Sequence, residues 1–334
     1  MKILIIKLKA IGDIILSTPV VENIKNNFSD SKIYYLVEKF AAPILENNKF
    51  IDGVISFDKK NESGLDLIIK IRKEKFDIVI DLFGNPRSAL VTFLSGAKNR
   101  IGYNFRFRSF AYNFVIEPRG NLVHNIDFNL DSLKYFNINN ATRNPKIFLT
   151  ENISNEIKVW EEKNILNRDF KIGINAGGGW EIKQWKSLSF AKLCDELILK
   201  ENAKIFLFYG PNEFEKICEI KSLIKSKVEI IPKTNLQELA YLVNKMNFFI
   251  SNDSGPMHIA ATLNVPTLGI YGPTNPNLQG PIGINTDWVR MDDLDCIGCN
   301  KTVCKINNIC MTDLSVEKVF DKAKIIIGKI KNEK

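Results

Sequence analysis

The sequence lacks any run of about 18 apolar residues, the length that a membrane-spanning helix needs. Met1 and Lys2 are followed by only four apolar residues before Lys7, too few for the core of a signal peptide. Short-period repeats, low-complexity tracts and the G-x-G-x-x-G turn of dinucleotide-binding folds are also missing. These absences predict a cytoplasmic protein and remove the main sequence support for hydride transfer.

What is present is the composition of an ordinary globular protein. The chain has 334 residues, 45% of them apolar and 25% charged, and this length favours two domains because one domain usually holds about 150 residues. The formal net charge of +8 indicates an anionic partner, such as a nucleotide phosphate, an acidic glycolipid, a membrane surface or nucleic acid. A solvated lysine surface without a partner explains this charge equally well.

Short β-rich runs, such as residues 3–8, alternate with amphipathic helical patterns along the chain. The alternation becomes irregular and polar over residues 137–155 and then restarts, which indicates a linker. Strands that alternate with helices pair in parallel sheets. We therefore predict an α/β protein with two Rossmann-like, doubly wound parallel-sheet domains at residues 1–150 and 151–314, followed by a C-terminal helix at 315–334.

Asp13 follows the first predicted strand, next to Gly12. In open α/β sheets, ligands bind at the carboxyl ends of strands, because loop amides and helix N-termini converge there. Asp13 is therefore a candidate general base for a substrate hydroxyl. Capping of the helix that follows explains the same position, and from spacing alone it is the better explanation.

Two further strand ends carry glycines and charged side chains. Gly177 begins a run of three glycines that precedes Lys183. Glycines with a lysine suit a diphosphate, although a flexible structural loop fits as well. Glu213 follows a later strand, where a carboxylate can bond a ribose hydroxyl or simply favour the first turn of a helix.

The fourth strand end is the most informative. Asp253, Ser254 and Gly255 lead into a helix whose first turn contains His258, one of only two histidines. Amides at a helix N-terminus can bind a phosphate while Asp253 and Ser254 cap the turn. For His258, catalytic and structural explanations have equal weight. Gly272 opens a glycine- and proline-rich segment that follows the next strand.

These segments, in this order, resemble the ADP-heptose:lipopolysaccharide heptosyltransferase family, glycosyltransferase family 9. The matching segments are Gly12-Asp13 with Thr18-Pro19, Lys183-Gln184-Trp185, Asn252-Asp253-Ser254-Gly255 with His258-Ile259-Ala260-Ala261, and Gly272-Pro273-Thr274. The resemblance covers nearly the whole chain. It implies a GT-B architecture, in which two Rossmann-like domains face a central cleft, the first binding the acceptor and the second the nucleotide-sugar donor. The helix at 315–334 could then pack back on the N-terminal domain.

The resemblance also implies inversion at the anomeric carbon, with no metal or other cofactor required. Asp13 matches the family's general base, which reverses the preference for a capping role. Lys183 matches a basic residue near the donor phosphates, and Glu213 approximately matches a ribose contact. Ser254 stands where threonine is often found, an exchange that keeps the hydroxyl. The implied donor-binding residues are Gly177, Lys183, Glu213, Asp253, Ser254, Gly255, His258 and Gly272.

Residues 87–119 form the densest basic and aromatic region of the sequence. No RNA- or DNA-binding motif accompanies it, so we predict no nucleic-acid partner. In the family, this segment resembles the acceptor-side surface, where arginines meet acidic sugars or lipid phosphates. We predict an acidic glycolipid acceptor and peripheral contact with the inner face of the cytoplasmic membrane; a solvated surface is the alternative. The predicted acceptor-binding residues are Gly12, Arg87, Arg106 and Arg108, while His124 is predicted to be structural.

Four cysteines have the spacing C-x2-C-x4-C-x5-C: Cys296, Cys299, Cys304 and Cys310. Four thiols can hold one tetrahedral metal ion or form two disulfides. We favour reduced thiols without a ligand over a structural zinc or iron ion, and both over disulfides, which are rare in cytoplasmic proteins. Similar cysteine clusters occur in some relatives of the family, whereas its classical enzymes do without one, so sugar transfer itself does not need it.

The resulting hypothesis is an inverting enzyme that transfers heptose from ADP-heptose to a lipopolysaccharide or lipooligosaccharide core acceptor. Three alternatives stay open. They are a family member that uses another nucleotide sugar, a nucleotide-sugar epimerase of the same architecture, and an inactive protein that binds sugar nucleotides or glycolipids.

Overall fold

Two six-stranded parallel sheets organise the chain, one in each of two units. The structure, a computed structural model, describes residues 1–105, 107–165 and 169–332. The units are Met1–Leu149 and Thr150–Lys334, and in both the strands alternate with helices. The predicted α/β class with two doubly wound parallel sheets is confirmed.

In its described residues, the first unit contains six strands and five α-helices. Its strands are β1 (Lys2–Ile6), β2 (Lys32–Glu38), β3 (Gly53–Phe57), β4 (Ile78–Asp81), β5 (Asn99–Tyr103) and β6 (Phe114–Ile116). Its helices are α1 (Ile11–Ile15), α2 (Thr18–Asn27), α3 (Gly64–Lys73), α4 (Pro86–Leu94) and α5 (Asn125–Leu130). Short 3-10 helices cover Lys39–Leu45, Ser109–Ala111, Gly120–Leu122 and Asp131–Phe136.

The sheet of the first unit has the order β3-β2-β1-β4-β5-β6. The chain winds outward from β1 in one direction and then from β4 in the other, so the connections part between these two strands. Ile3 to Ile6 on β1 are fully buried, without polar alternation, as a parallel sheet covered on both faces requires. Ligands of such folds bind where the connections part, at the carboxyl ends of β1 and β4.

The second unit repeats this arrangement. Its strands are β7 (Phe170–Asn175), β8 (Ala203–Phe208), β9 (Glu229–Ile230), β10 (Phe248–Asn252), β11 (Thr267–Ile270) and β12 (Thr286–Val289). Its helices are α6 (Asn155–Asn164), α7 (Ser187–Glu201), α8 (Phe214–Leu223), α9 (Leu236–Val243), α10 (Gly255–Thr262), α11 (Pro276–Gln279), α12 (Ile309–Thr312) and α13 (Val316–Asn332). The sheet order β12-β11-β10-β7-β8-β9 places the parting of connections between β7 and β10.

The last helix packs within the second unit. Ser315 caps α13 by accepting a hydrogen bond from the backbone N–H of Lys318 at 3.2 Å. One face of the helix packs on α7 and β12. The apolar residues of this helix recur every three or four positions, and residues at this spacing lie on one face of a helix. The buried residues are Val319, Phe320, Ala323, Ile326, Ile327 and Ile330.

No helix in the described ranges is long and apolar enough to cross a membrane.

Candidate active site

Asp13 lies in the first turn of α1, directly after β1 and beside the buried Gly12. Its Oδ2 accepts a hydrogen bond from the backbone N–H of Ala10 at 3.3 Å, and its Oδ1 accepts one from the side-chain amide of Asn125 at 3.4 Å. Both bonds are long, and the side chain is partly exposed. The carboxylate therefore caps its own helix only weakly and keeps capacity to accept a hydrogen bond from another group.

Asp81 ends β4, where it is in register with Ile6 of β1. It is fully buried, and its carboxylate accepts hydrogen bonds from the Tyr112 hydroxyl at 2.8 Å and the Gly84 backbone N–H at 2.9 Å. Burial raises the pKa of the Asp81 carboxyl, and these hydrogen bonds oppose the rise. The side chain fixes the turn that follows β4 and lies near the end of β1.

Lys7 follows β1 and is partly buried. Its ammonium donates a hydrogen bond to the carbonyl oxygen of Leu82 at 2.9 Å, which ties the ends of β1 and β4 together. Burial lowers the pKa of Lys7, while the negative charges of Asp13 and Asp81 oppose that shift. The Lys7 ammonium is therefore close enough to the Asp13 carboxylate to interact with it electrostatically, while its hydrogen bond goes to Leu82.

His124 and Asn125 begin α5. His124 is the N-cap residue, and its Nδ1 accepts a hydrogen bond from the backbone N–H of Ile126 at 3.2 Å. This contact agrees with the structural role predicted for His124. The cap holds the start of α5 so that the Asn125 amide reaches Asp13.

The predicted acceptor arginines are positioned by contacts within the first unit. Arg87, on α4, holds its guanidinium 5.4 Å from the centroid of the Phe57 ring. Arg108 donates from Nε to the carbonyl oxygen of Phe105 at 3.2 Å. Arg106 lies outside the described residues.

Other arginines of this region serve the fold. Arg119 forms an ion pair with Asp131 at 2.7 Å, and Arg100 donates to the carbonyl oxygen of Ala111 at 3.0 Å. The number of basic residues in the segment is therefore larger than the number of cations available to a ligand. Phe107 and Leu122, by contrast, are 96% and 85% exposed.

In the second unit, Lys183 and Asp253 form an ion pair of 2.7 Å between the loops after β7 and β10. The same carboxylate oxygen accepts a hydrogen bond from the Thr274 hydroxyl at 2.6 Å, and only 6% of Asp253 is exposed. The Lys183 ammonium also lies 4.6 Å from the centroid of the Trp180 ring. Asp253 thus fixes a cation at the strand ends, and the prediction that it caps the turn is wrong.

Ser254 occupies the N-cap position of α10, but its side chain bonds no amide of the helix. Its hydroxyl is instead hydrogen-bonded to the Ser251 hydroxyl at 2.9 Å and the Asn175 amide at 3.1 Å. The predicted serine cap is therefore wrong as well. Gly255 begins the helix and His258 is buried in its first turn. An uncapped helix N-terminus next to Lys183 suits an anion.

Glu213 bridges the loops after β7 and β8. Its Oε1 accepts a hydrogen bond from the Gly178 N–H at 2.9 Å, and its Oε2 accepts one from the Gly210 N–H at 2.7 Å. A side chain at Gly177 would place its Cβ 2.1 Å from this carboxylate. The triple glycine is therefore tied to Glu213 instead of being a free loop. Close approach explains why Gly177 has no side chain.

An open cavity of about 400 Å³ lies at the ends of β8 and β9. Two aromatic rings, Tyr209 and Phe214, have centroids 5.2 Å apart at its wall. The rest of the lining is formed by Gly210, Pro211, Asn212, Lys233 and Thr234. Aromatic walls with a few polar groups are typical of sites for planar ligands.

Gly272 brings the loop after β11 against α12. A Cβ at this position would meet the Met311 sulfur at 2.5 Å and the Cys310 sulfur at 3.0 Å. The four clustered cysteines line one cavity below this loop, and all are free thiols. Burial raises the pKa of the Cys310 thiol to about 11, with smaller contributions from Cys304, Cys296 and Cys299. Across the described part of the chain, no three His, Cys, Asp or Glu side chains form a ready metal-binding group.

Comparison with known proteins identifies the family. The sequence model of glycosyltransferase family 9 (heptosyltransferase) matches residues 65–310. The chain belongs to glycosyltransferase family 9. It is also similar to lipopolysaccharide heptosyltransferase 1 of Campylobacter coli, with 32% identity over 98% of this chain and 99% of that protein. The protein is therefore a glycosyltransferase, as predicted.

Solved structures of the family share the fold. The family 9 glycosyltransferase of Veillonella parvula aligns with a TM-score of 0.85 and 24% identity over 98% of this chain and 97% of that one. Escherichia coli heptosyltransferase WaaC with ADP aligns with a TM-score of 0.76 and 19% identity over 98% and 100%. The predicted GT-B fold class is confirmed.

Sequence reasoning missed two polar residues of this family 9 enzyme, Asp81 and Asn125, and it named Asn252 within a family motif without giving it a role. The Asn252 amide donates to the carbonyl oxygen of Ala176 at 2.8 Å, and its Oδ1 accepts from the Trp185 N–H at 3.2 Å. Asp81 and Asn252 both end the strand next to the first strand of their unit. A polar residue that ends an apolar run was the signal that could have found them.

Proposed function

We propose that this enzyme is an inverting, metal-independent heptosyltransferase that transfers heptose from ADP-heptose to a lipopolysaccharide or lipooligosaccharide core acceptor, with Asp13 as general base. The observation that carries the proposal is the Lys183–Asp253 ion pair beside the uncapped N-terminus of α10. A preformed cation and helix amides are what a nucleoside diphosphate needs. The name of the C. coli relative supports heptose, and the ADP of the WaaC structure supports adenine.

On the donor side, the diphosphate would lie against Lys183 and the first-turn amides of α10 at Gly255. These groups would neutralise the charge that develops on the leaving ADP, so the chain itself supplies what a metal supplies in other transferases. Gly177 and Gly272 would let the backbone approach the ligand. His258 is assigned to the same donor loop.

The nucleoside would extend from the diphosphate toward the cavity at the ends of β8 and β9. Tyr209 and Phe214 offer rings against which a purine can stack. Glu213 already accepts two backbone N–H groups, but a carboxylate has further lone pairs and can also bond a ribose hydroxyl. This assignment keeps its structural and ligand-binding roles together.

The transfer itself would be a single displacement. The acceptor hydroxyl oxygen forms a bond to the anomeric carbon, the bond from that carbon to the diphosphate oxygen breaks, and ADP leaves from the opposite face. Asp13 accepts the hydroxyl proton, and one of its two long hydrogen bonds can be exchanged for one from the acceptor hydroxyl.

The acceptor would bind the first unit near Gly12, Arg87, Arg106 and Arg108. We also infer peripheral contact with an anionic membrane at the inner face of the cytoplasmic membrane. Phe107, in the basic segment, and Leu122, just after it, expose large apolar side chains. Apolar side chains that insert between lipids, with cations beside them, are typical of peripheral membrane contact.

Membrane contact can be measured by sedimentation with vesicles that contain anionic phospholipid. Phe107→Ser should reduce the bound fraction several-fold, because serine has no phenyl ring that could transfer from water into the lipid. Leu199→Ser, which changes a 78% exposed leucine of the second unit, is the control and should bind as the unchanged protein does. Equal binding of all three proteins would contradict the assignment of this surface.

The substrate assignment is tested with a panel of nucleotide sugars and core acceptors, with product masses as the readout. Transfer of a heptosyl group from ADP-heptose is expected, with the anomeric configuration inverted. Transfer from another donor alone would correct the sugar. Conversion of the donor without acceptor would favour an epimerase, and binding without any turnover would favour an inactive binding protein.

A further inference from the structure

The cysteine cluster has a structural setting that sugar transfer does not explain. Cys296, Cys299, Cys304 and Cys310 all line the same cavity, whose volume is about 20 Å³. A space of this size holds one water-sized group. Four soft sulfur ligands around such a space match the coordination number of a tetrahedral transition-metal ion.

The backbone around the thiols is shaped as in metal-binding turns. Gly298, between the first two cysteines, has φ +74°, which lets the C-x2-C turn close. The Cys304 sulfur accepts hydrogen bonds from the backbone N–H groups of Ile306 at 3.4 Å and Asn308 at 3.3 Å. Two N–H donors aimed at one sulfur stabilise a thiolate, the form that binds metal.

The segment that carries the cluster is ordered by few apolar contacts: Met291, Leu294 and Ile297 pack on the core of the second unit and are only partly buried. Residues 290–308, all of them described, contain neither helix nor strand, and none of them is fully buried. A 19-residue connection without secondary structure is unusual in a compact domain. A metal cross-link compensates for a missing apolar core in such segments.

We propose that these four cysteines bind one zinc or iron ion as a tetrahedral tetrathiolate site. Binding would draw the sulfurs into ligand distance and release the thiol protons. The small cavity favours a single ion over an iron–sulfur cluster. The inferred site differs from the reduced, unliganded thiols favoured by spacing alone.

The same site would brace the donor loops. Ile182, next to Lys183, and Pro273, next to Thr274, line the cysteine cavity. The Pro273 carbonyl oxygen also accepts a hydrogen bond from the Asn300 N–H at 2.6 Å. Loss of the metal should therefore loosen both loops that hold the Lys183–Asp253 pair. This link to ADP binding rests on the proposed function, whereas the metal site itself does not.

The test is elemental analysis of the full chain purified without chelator. About one zinc or iron per chain is expected, and visible absorption separates iron from colourless zinc. Cys304→Ser should lower the bound metal to about a tenth or less of that amount. Cys218→Ser, which alters an exposed cysteine outside the cluster, should leave the metal content unchanged.

Chelator treatment of the unchanged protein covers the case in which Cys304→Ser fails to fold. Removal of the metal should expose four additional thiols to a thiol reagent and weaken ADP binding several-fold. Absence of stoichiometric metal, the presence of acid-labile sulfide, or two disulfides by mass would overturn the proposal. Metal without any effect on ADP binding would overturn only the link to the donor loops.

Discussion

Each unit brings a lysine and an aspartate to the carboxyl ends of its central strands, and the two pairs are built differently. Asp13 is partly exposed and accepts two long hydrogen bonds, of 3.3 and 3.4 Å. Asp253 is 6% exposed and accepts two short ones, of 2.7 and 2.6 Å, one from Lys183. The first carboxylate retains capacity to accept a hydrogen bond from a ligand, whereas the second holds a cation. The same residue types thus support two roles because their surroundings differ.

Asp13→Asn is the most direct test of the difference between Asp13 and Asp253. The amide oxygen can accept only one of the hydrogen bonds from Ala10 and Asn125. The amide takes no proton, so kcat should fall by about 100- to 10,000-fold, the usual contribution of a general base. ADP affinity, measured by calorimetry, should be unchanged. Asp30→Asn alters an exposed carboxylate of the same unit and is the control. Turnover of Asp13→Asn above a tenth of the original would show that the base lies elsewhere.

Lys183→Gln tests the other member of the comparison. ADP should bind about 10- to 100-fold more weakly, since a charge-assisted hydrogen bond contributes about 1.5–3 kcal/mol. The variant also leaves the buried Asp253 without its cation, so unfolding should occur at lower denaturant concentration. Lys186→Gln, at an exposed lysine three residues away, should change neither quantity.

A double variant sharpens this result. Adding Asp253→Asn to Lys183→Gln should restore stability, because no unpaired charge stays buried, but it should not restore ADP binding. Recovery of both would mean that Lys183 acts only through the fold.

Gly177→Ala should disturb the donor side without changing charge. The new methyl group would lie 2.1 Å from the Glu213 carboxylate, so either that side chain or the glycine loop must move. We expect a loss of about 1–3 kcal/mol in the free energy of unfolding. Gly179→Ala in the same loop meets no atom within 4 Å and should stay within about 0.5 kcal/mol. Equal effects would contradict the bridging role of Glu213.

The smallest expected effect concerns pH and Lys7. Because burial lowers the pKa of Lys7 below its ordinary value of 10.5, the unfolded chain keeps this proton to higher pH than the folded chain does. The contribution of Lys7 to the free energy of unfolding therefore increases as pH rises from the lowered pKa toward 10.5. Lys7→Met should lack this gain, so its stability deficit should widen between neutral pH and pH 10 in urea titrations. A deficit independent of pH would mean that Lys7 keeps its ordinary pKa.

Most of the fold could be predicted from the sequence. Apolar runs such as β1 and β7, separated by amphipathic helices, indicated parallel sheets because only strands buried on both faces lack polar alternation. The weaker signals were the caps. Asp253 and Ser254 have the composition of an N-cap, yet a lysine and a buried asparagine from other strand ends compete for their oxygens.

The positions of the candidate site residues relative to the strands could be predicted, but their contacts could not. Asp13, Lys183 and Glu213 were identified by their places after strands, which local sequence reports. Their partners Asn125, Asp253 and Gly178 are between 35 and 112 residues away along the chain. No local pattern contains such a pairing, because sheet order decides which strand ends become neighbours.

The sequence by itself determined the two parallel sheets, the family and the types of side chain at the strand ends. Periodicity and the order of motifs can be recognised from residues that are neighbours in the sequence. Only the tertiary structure decided which aspartate is held by a lysine and which stays available, and that the four cysteines share one cavity. Burial and hydrogen-bond distance arise from the packing of distant segments, and these two quantities separate Asp13 from Asp253.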